Sequence, residues 1–137
     1  MSLCVQLELK NRKVLIVGGG HVALRKTKLF LREGAKVTIV ASDILKELYA
    51  LAQCHKRAFT QDDVLDAFLV VAASNDAEVN EKCVRLPNRQ NVLFMNVEAD
   101  SQSDVHAMSY IRGCLLCSCL HYQREFPLLC KTGLRIV

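Results

Sequence analysis

Short apolar runs alternate with segments of helical periodicity along this chain of 137 residues. The runs are four to six residues long and almost uninterrupted by polar side chains, which is typical of strands buried on both faces of a parallel sheet. They occupy residues 14–17, 37–40, 68–73 and 92–97. Because strands that alternate with helices form βαβ units, this pattern predicts an α/β fold, a Rossmann-like doubly wound parallel sheet.

The segments between the runs predict three helices. Residues 21–33 have helical spacing and end before Gly34, which suits the C-terminal end of a helix. A second helix is predicted from Asp43, whose carboxylate would cap the free amides of the first turn, through Ala52. A third helix is predicted over residues 77–86.

The C-terminal part of the chain predicts a short separate segment. A strand is expected over residues 114–120, and Pro127 suits the first turn of a following helix. We therefore expect a nucleotide-binding domain over residues 1–112 and a short strand-helix segment over residues 113–137. His55 is expected on the surface before the third strand.

A glycine motif follows the first predicted strand and opens the first helix. Gly18, Gly20 and Ala23 match the G-x-G-x-x-A pattern of dinucleotide-binding folds in the structural context that gives this pattern its meaning. The first glycine permits a tight turn, the second lets a pyrophosphate approach the backbone, and the small residue allows close packing of helix and strand. The pyrophosphate would be held by helix N-terminal amides. A glycine-rich turn without a ligand is the alternative.

The residues after the second strand indicate which dinucleotide binds. A carboxylate there accepts the ribose hydroxyls of NAD, whereas an arginine favours the 2′-phosphate of NADP. Ser42 and Asp43 stand at this place and no arginine is adjacent, so NAD is the predicted cofactor. A role of Asp43 as helix cap alone is the competing interpretation.

An acidic loop follows the fourth strand. Glu98, Asp100, Asp104 and His106 form the densest group of titratable residues expected at the carboxyl edge of the sheet, where ligands bind in open α/β folds. A general base would come from such a group. A solvated acidic loop is the alternative.

Composition and charge bound the class of protein. The apolar stretches are shorter than the ~18 residues that cross a bilayer, and no leader pattern opens the chain, so we expect a cytoplasmic protein without a membrane span. The net charge is +6 over residues 1–40, −5 over residues 41–109 and +3 over residues 110–137. The basic ends suit an anionic ligand, with a solvated helix face as the alternative. Aromatic residues are not interleaved with basic ones, which argues against nucleic acid.

The seven cysteines indicate reduced thiols rather than a disulfide scaffold, because their number is odd and the chain is long enough to bury a core. Cys114, Cys117 and Cys119 have a spacing that suggests a metal site. They lie on a predicted apolar strand, however, where only Cys117 and Cys119 share a face. Buried apolar cysteines are the better interpretation, and the metal, if there is one, is unknown from the sequence.

Several segments together resemble the siroheme synthase N-terminal family, which comprises precorrin-2 dehydrogenases and sirohydrochlorin ferrochelatases. The resemblance runs through residues 9–26, 34–41, 72–76, 79–80 and 96–97. It implies a homodimer that transfers a hydride from the carboxylate-rich tetrapyrrole precorrin-2 to NAD and yields sirohydrochlorin, with ferrochelatase activity in bifunctional members. The segment 113–137 would then be a truncated dimerisation and substrate segment.

The resemblance also implies roles for individual residues. The implied cofactor-binding residues are Gly18, Gly19, Gly20, His21, Val22, Ser42, Asp43, Asn75 and Asp76. The implied substrate-binding residues are Asn96, Arg112 and Arg124, the two arginines offsetting substrate carboxylates.

The chain departs from the family where the catalytic aspartate is expected. Ala99 occupies that position, and Asp100 follows one residue later. Asp100 is therefore the first candidate for the catalytic base, and Asp104 is the second. Two alternatives to the enzyme remain: a degenerate homologue that binds NAD or a tetrapyrrole without turnover, and a regulatory nucleotide-binding module such as those of transporters.

Overall fold

The computed structural model describes residues 5–86, 91–98 and 103–106. Strands and helical segments alternate along this part of the chain. In order they are β1 (Lys13–Val17), α1 (His21–Arg32), β2 (Lys36–Ala41), α2 (Lys46–Tyr49), β3 (Gln53–Lys56), a 3₁₀ turn (Gln61–Val64), β4 (Leu69–Ala72), α3 (Ala77–Val84) and β5 (Leu93–Asn96).

Within the described residues, five parallel strands form a single sheet in the order β3-β2-β1-β4-β5. β1 lies at the centre, where Val14 pairs with Val37 of β2 on one side and with Leu69 of β4 on the other. Among the described strands, β3 and β5 are the outermost two. The predicted doubly wound parallel α/β fold is confirmed.

Alternate residues of each central strand face two different apolar layers. Val14 and Ile16 belong to the layer that contains Ala23 and Phe30 of α1, whereas Leu15 belongs to the opposite layer with residues of α3. Burial on both faces explains why the central strands are continuous apolar runs. Ala23 is fully buried, as expected of the small residue where α1 packs on the sheet.

Two local predictions are wrong. The helix expected from Asp43 through Ala52 is a single turn, α2, whose N-cap is Leu45, so Asp43 does not cap it. The chain then forms β3, a strand that the sequence did not predict, and His55 lies within it rather than before the sheet. β3 was missed because an edge strand is only half-buried and its sequence, QCHK, has no apolar run.

The chain divides into two compact units, and the sheet belongs wholly to the unit Leu7–Val105. The second unit, Met1–Gln6 with His106–Val137, lies almost entirely outside the described residues. The predicted strand over residues 114–120 and the helix from Pro127 fall there as well. Within the described ranges, no helix has the length and apolar character that a membrane crossing requires.

Candidate functional site

The strand order reverses between β1 and β4. From β1 the chain continues to β2 and β3 on one side of the sheet and returns to β4 on the other side. In open α/β sheets the loops at the carboxyl ends of strands on either side of such a reversal form a crevice that binds ligands. The predicted cofactor-binding loops follow β1, β2 and β4, so the topology brings them to one edge of the sheet.

Gly18 and Gly19 join the three loops by close backbone contact. A Cβ atom at Gly18 would overlap the carbonyl oxygen of Ala73 at the end of β4, and the φ of Gly18 is +138°. A Cβ atom at Gly19 would overlap the carbonyl oxygen of Asp43 after β2. The amide of Gly18 also donates to Val40 of β2 at 3.0 Å. Glycine is required at both positions because other backbone fills the space.

Gly20 has the opposite surroundings. A Cβ atom built there would meet no heavy atom of the described residues within 4 Å, so among these residues the glycine faces open space. Gly20 is the N-cap of α1, no side chain caps the helix, and its first turn contains no acidic residue. The first intrahelical bond runs from the amide of Leu24 to Gly20 at 3.0 Å, so the amides of the first turn, from His21 onward, point out of the helix end. Free amides and the positive end of the helix dipole fit a pyrophosphate.

The β2 loop presents its polar side chains to solvent. Ser42 is exposed, and the Asp43 side chain is 98% exposed. The Lys56 Nζ atom at the end of β3 lies 3.8 Å from the Asp43 Oδ1 atom. Because Asp43 caps no helix, its carboxylate is available to a ligand, which removes the competing interpretation made from the sequence.

The β4 loop is held by Asn80, a residue that the sequence resemblance includes without a role. Asn80 is only 2% exposed. Its Oδ1 atom accepts from the amide of Ser74 at 3.0 Å, and its Nδ2 atom donates to the carbonyl of Ser74 at 2.9 Å and to Glu98 at 3.2 Å. Asn75 and Asp76 are exposed, and Asp76 caps α3 by accepting from the amide of Glu78 at 2.9 Å. Asn80 therefore fixes the loop that presents Asn75.

Three described residues after β5, namely Glu98, Ser103 and Asp104, bond to residues of that strand. Asn96 is buried, and its Oδ1 atom accepts from the amide of Glu98 at 3.0 Å. Ser103 bonds the backbone of Asn96, accepting from its amide at 2.8 Å. The Asp104 carboxylate accepts from the amide of Phe94 at 3.1 Å. Asp104 thus lies beside the middle of the edge strand, two residues before its carboxyl end.

The described residues assemble only part of the predicted site. The glycine corner, the β2 loop and the β4 loop come together, with Asn96 at the end of β5. Asp100, Arg112 and Arg124 lie outside the described residues. Within the part that is described, no group of three or more His, Cys, Asp or Glu side chains could hold a metal ion.

Two pKa shifts reflect burial rather than a reactive group at this edge. Burial, assisted by the neighbouring charge of Arg25, lowers the pKa of the Lys26 ammonium on α1. Burial raises the pKa of the Cys83 thiol on α3 to about 12, so Cys83 stays protonated and behaves as an apolar core residue.

The fold and the glycine corner define a dinucleotide-binding protein, and comparison with known proteins agrees. Residues 5–109 match a family described as "Putative NAD(P)-binding". The chain belongs to this family. This description agrees with the nicotinamide dinucleotide cofactor that the sequence predicts.

Among curated proteins, the chain is 36% identical over 85 residues to a precorrin-2 dehydrogenase of Bacillus subtilis, covering 58% of this chain and 52% of that protein. It is 42% identical over 91 residues to siroheme synthase 1 of Serratia proteamaculans, covering 63% of this chain and 19% of that protein. A solved structure titled "SirC, precorrin-2 dehydrogenase" superposes with a TM-score of 0.74 at 33% identity, covering 95% of this chain and 66% of that one. The chain thus spans about half the length of the first relative and about a fifth of the second.

Proposed function

We propose that this chain is an NAD-dependent oxidoreductase that converts precorrin-2 to sirohydrochlorin. The observation that carries the proposal is the open Gly20 corner at the strand-order reversal, in a chain similar to proteins named precorrin-2 dehydrogenase. The oxidation removes one hydride and one proton from the tetrapyrrole. Bound NAD would supply the hydride acceptor, and the protein would supply the binding surfaces and the base.

The cofactor seat is built from three loops. The amides at Gly20, His21 and Val22 hold the pyrophosphate, since the first turn of α1 contains no acidic residue. Ser42 and Asp43 hold the ribose hydroxyls. Further cofactor contacts come from Gly18 and Gly19 in the loop after β1 and from Asn75 and Asp76 in the loop after β4.

The tetrapyrrole is the second ligand of the proposed reaction. Arg112 and Arg124 offset its carboxylates, and Asn96 at the end of β5 bounds the site. Asp100 takes the proton in preference to Asp104, because the Asp104 carboxylate already binds the amide of Phe94. Holding the donor carbon against the nicotinamide would account for much of the rate enhancement. Two reactants that are held together in the reactive orientation no longer have to meet by diffusion.

The test combines turnover and binding. Precorrin-2 and NAD are mixed with the chain, sirohydrochlorin is followed by absorbance, and NAD affinity is measured by calorimetry. Asp100→Ala is expected to abolish turnover and to leave NAD affinity unchanged, with Asp62→Ala on the 3₁₀ turn as a matched exposed control. Unchanged turnover in Asp100→Ala removes that residue from the mechanism.

A second candidate function is a degenerate homologue that binds NAD or a tetrapyrrole without turnover. Ala99, at the position where the resembled family has its aspartate, favours it. Measurable NAD binding without sirohydrochlorin in the same assay would select this candidate. A homodimer and a cytoplasmic location belong to the first proposal, and sedimentation of the chain tests the dimer.

A further inference from the structure

The edge of the cofactor site after β2 contains a charge pair rather than a lone carboxylate. Lys56 ends β3 and pairs in register with Ala41, the last residue of β2. This register places the Lys56 ammonium beside the residues that follow Ala41. Its Nζ atom lies 3.8 Å from the Asp43 Oδ1 atom, and the two side chains are 63% and 98% exposed.

Neither side chain of this pair stabilises a helix end or the core. Asp43 caps no helix, and both side chains face solvent. The adjacent cation, Arg57, differs because its guanidinium binds the Asp63 carboxylate through two nitrogens, one of them at 2.8 Å. The Asp63 side chain is only 10% exposed, and it also accepts from the amide of Thr60. Lys56 is therefore the cation of this strand end that a ligand at Asp43 would meet.

The two nucleotides that bind such folds differ at this position. NAD has a free 2′-hydroxyl that donates to a carboxylate, whereas NADP has a 2′-phosphate that a carboxylate repels and a cation attracts. A lone carboxylate rejects the phosphate. A carboxylate paired with an ammonium has a net charge close to zero. The ammonium can itself bind a phosphate.

We propose that Asp43 and Lys56 together set the choice between NAD and NADP, Asp43 accepting the 2′-hydroxyl and Lys56 binding a 2′-phosphate. This rests on the proposed cofactor seat. The chain then favours NAD but accepts NADP with lower affinity, and the preference is reversed by removing the carboxylate alone.

The experiment is a double-mutant cycle of Asp43→Asn and Lys56→Gln, with NAD and NADP affinities measured by calorimetry at two salt concentrations. Lys56→Gln is expected to weaken NADP about tenfold and to change NAD less than about twofold, as expected for loss of one charge-assisted bond. Asp43→Asn is expected to strengthen NADP about tenfold, and Lys56→Gln in that background removes the gain. Added salt weakens NADP more than NAD wherever Lys56 is present.

Lys36→Gln is the matched control, because Lys36 is an exposed cation at the opposite end of β2. It should change neither affinity. The inference is overturned if Lys56→Gln leaves NADP affinity unchanged in both backgrounds while NAD still binds. That result would not contradict the proposed cofactor site. If the unmodified chain binds neither NAD nor NADP, the proposed cofactor site is contradicted.

Discussion

Two strand-helix corners on neighbouring central strands differ at their helix N-termini. Both α1, after β1, and α3, after β4, start at the carboxyl edge of the sheet. The N-terminus of α1 has no side-chain cap and no acidic residue in its first turn. The N-terminus of α3 is capped by Asp76 and carries Glu78 in its first turn.

The difference shows which helix dipole remains available to a ligand. A carboxylate at a helix N-terminus satisfies free amides and offsets the positive end of the dipole, so α3 needs no anion from outside. At α1 no residue of the first turn offsets that charge, and among the described residues Gly20 faces open space. In the proposed function the α1 corner therefore receives the pyrophosphate, while the α3 corner, fixed by Asn80, forms a wall of the site.

The largest effect is expected from Gly18→Ala. The new Cβ atom would overlap the carbonyl oxygen of Ala73, and the positive φ disfavours any side chain. The free energy of unfolding should fall by about 3 kcal/mol or more, measured by urea denaturation. A loss below about 1 kcal/mol would show that the α1 and α3 corners are not packed this tightly.

Gly20→Asp should convert the α1 corner into one of the α3 type. The extended backbone at Gly20 accepts an N-cap aspartate, so thermal stability should change by only a few tenths of a kcal/mol. The carboxylate would repel the pyrophosphate and lower NAD affinity about a hundredfold, or about 2.7 kcal/mol. Gly20→Ala is the uncharged control, and equal losses in both variants would assign the effect to bulk rather than charge.

Asn80→Ala should loosen the α3 corner. It removes a buried amide that bonds both backbone groups of Ser74 and the carboxylate of Glu98. We expect a loss of about 2 kcal/mol in the free energy of unfolding, since both backbone groups of the partly buried Ser74 lose their partner. Exposed Asn75→Ala is the control, and a loss as small as in the control would contradict the role of Asn80 as the clamp of the loop.

The smallest effect is expected from Asp76→Ala. Removing this N-cap should cost about 1 kcal/mol of stability, measured by thermal unfolding. Asp66→Ala is the control, because Asp66 is an exposed carboxylate that makes only a 3.8 Å ion pair with Lys13. Equal stability of the two variants would mean that the Asp76 cap contributes little to α3.

The glycine corner separates what can be predicted from the sequence and what cannot. The spacing of Gly18 and Gly20 predicts a turn and an open approach, and both are found. The requirement for glycine at Gly19 depends on the carbonyl oxygen of Asp43, which is distant in the chain. The pairing of Lys56 with Asp43 likewise depends on β3, a strand without a sequence signal of its own.

The sequence alone determined the central strands, the two longer helices and the position of the glycine turn. A strand that is buried on both faces produces a continuous apolar run, and an amphipathic helix produces a period of about 3.6 residues. Each signal lies within the element's own stretch of sequence. Tertiary structure decided that α2 is one turn without Asp43 as its cap, that β3 completes an edge, and that Asn80 holds the loop after β4. Those outcomes depend on which backbone groups meet across the sheet, and such contacts join residues whose separation along the chain carries no pattern.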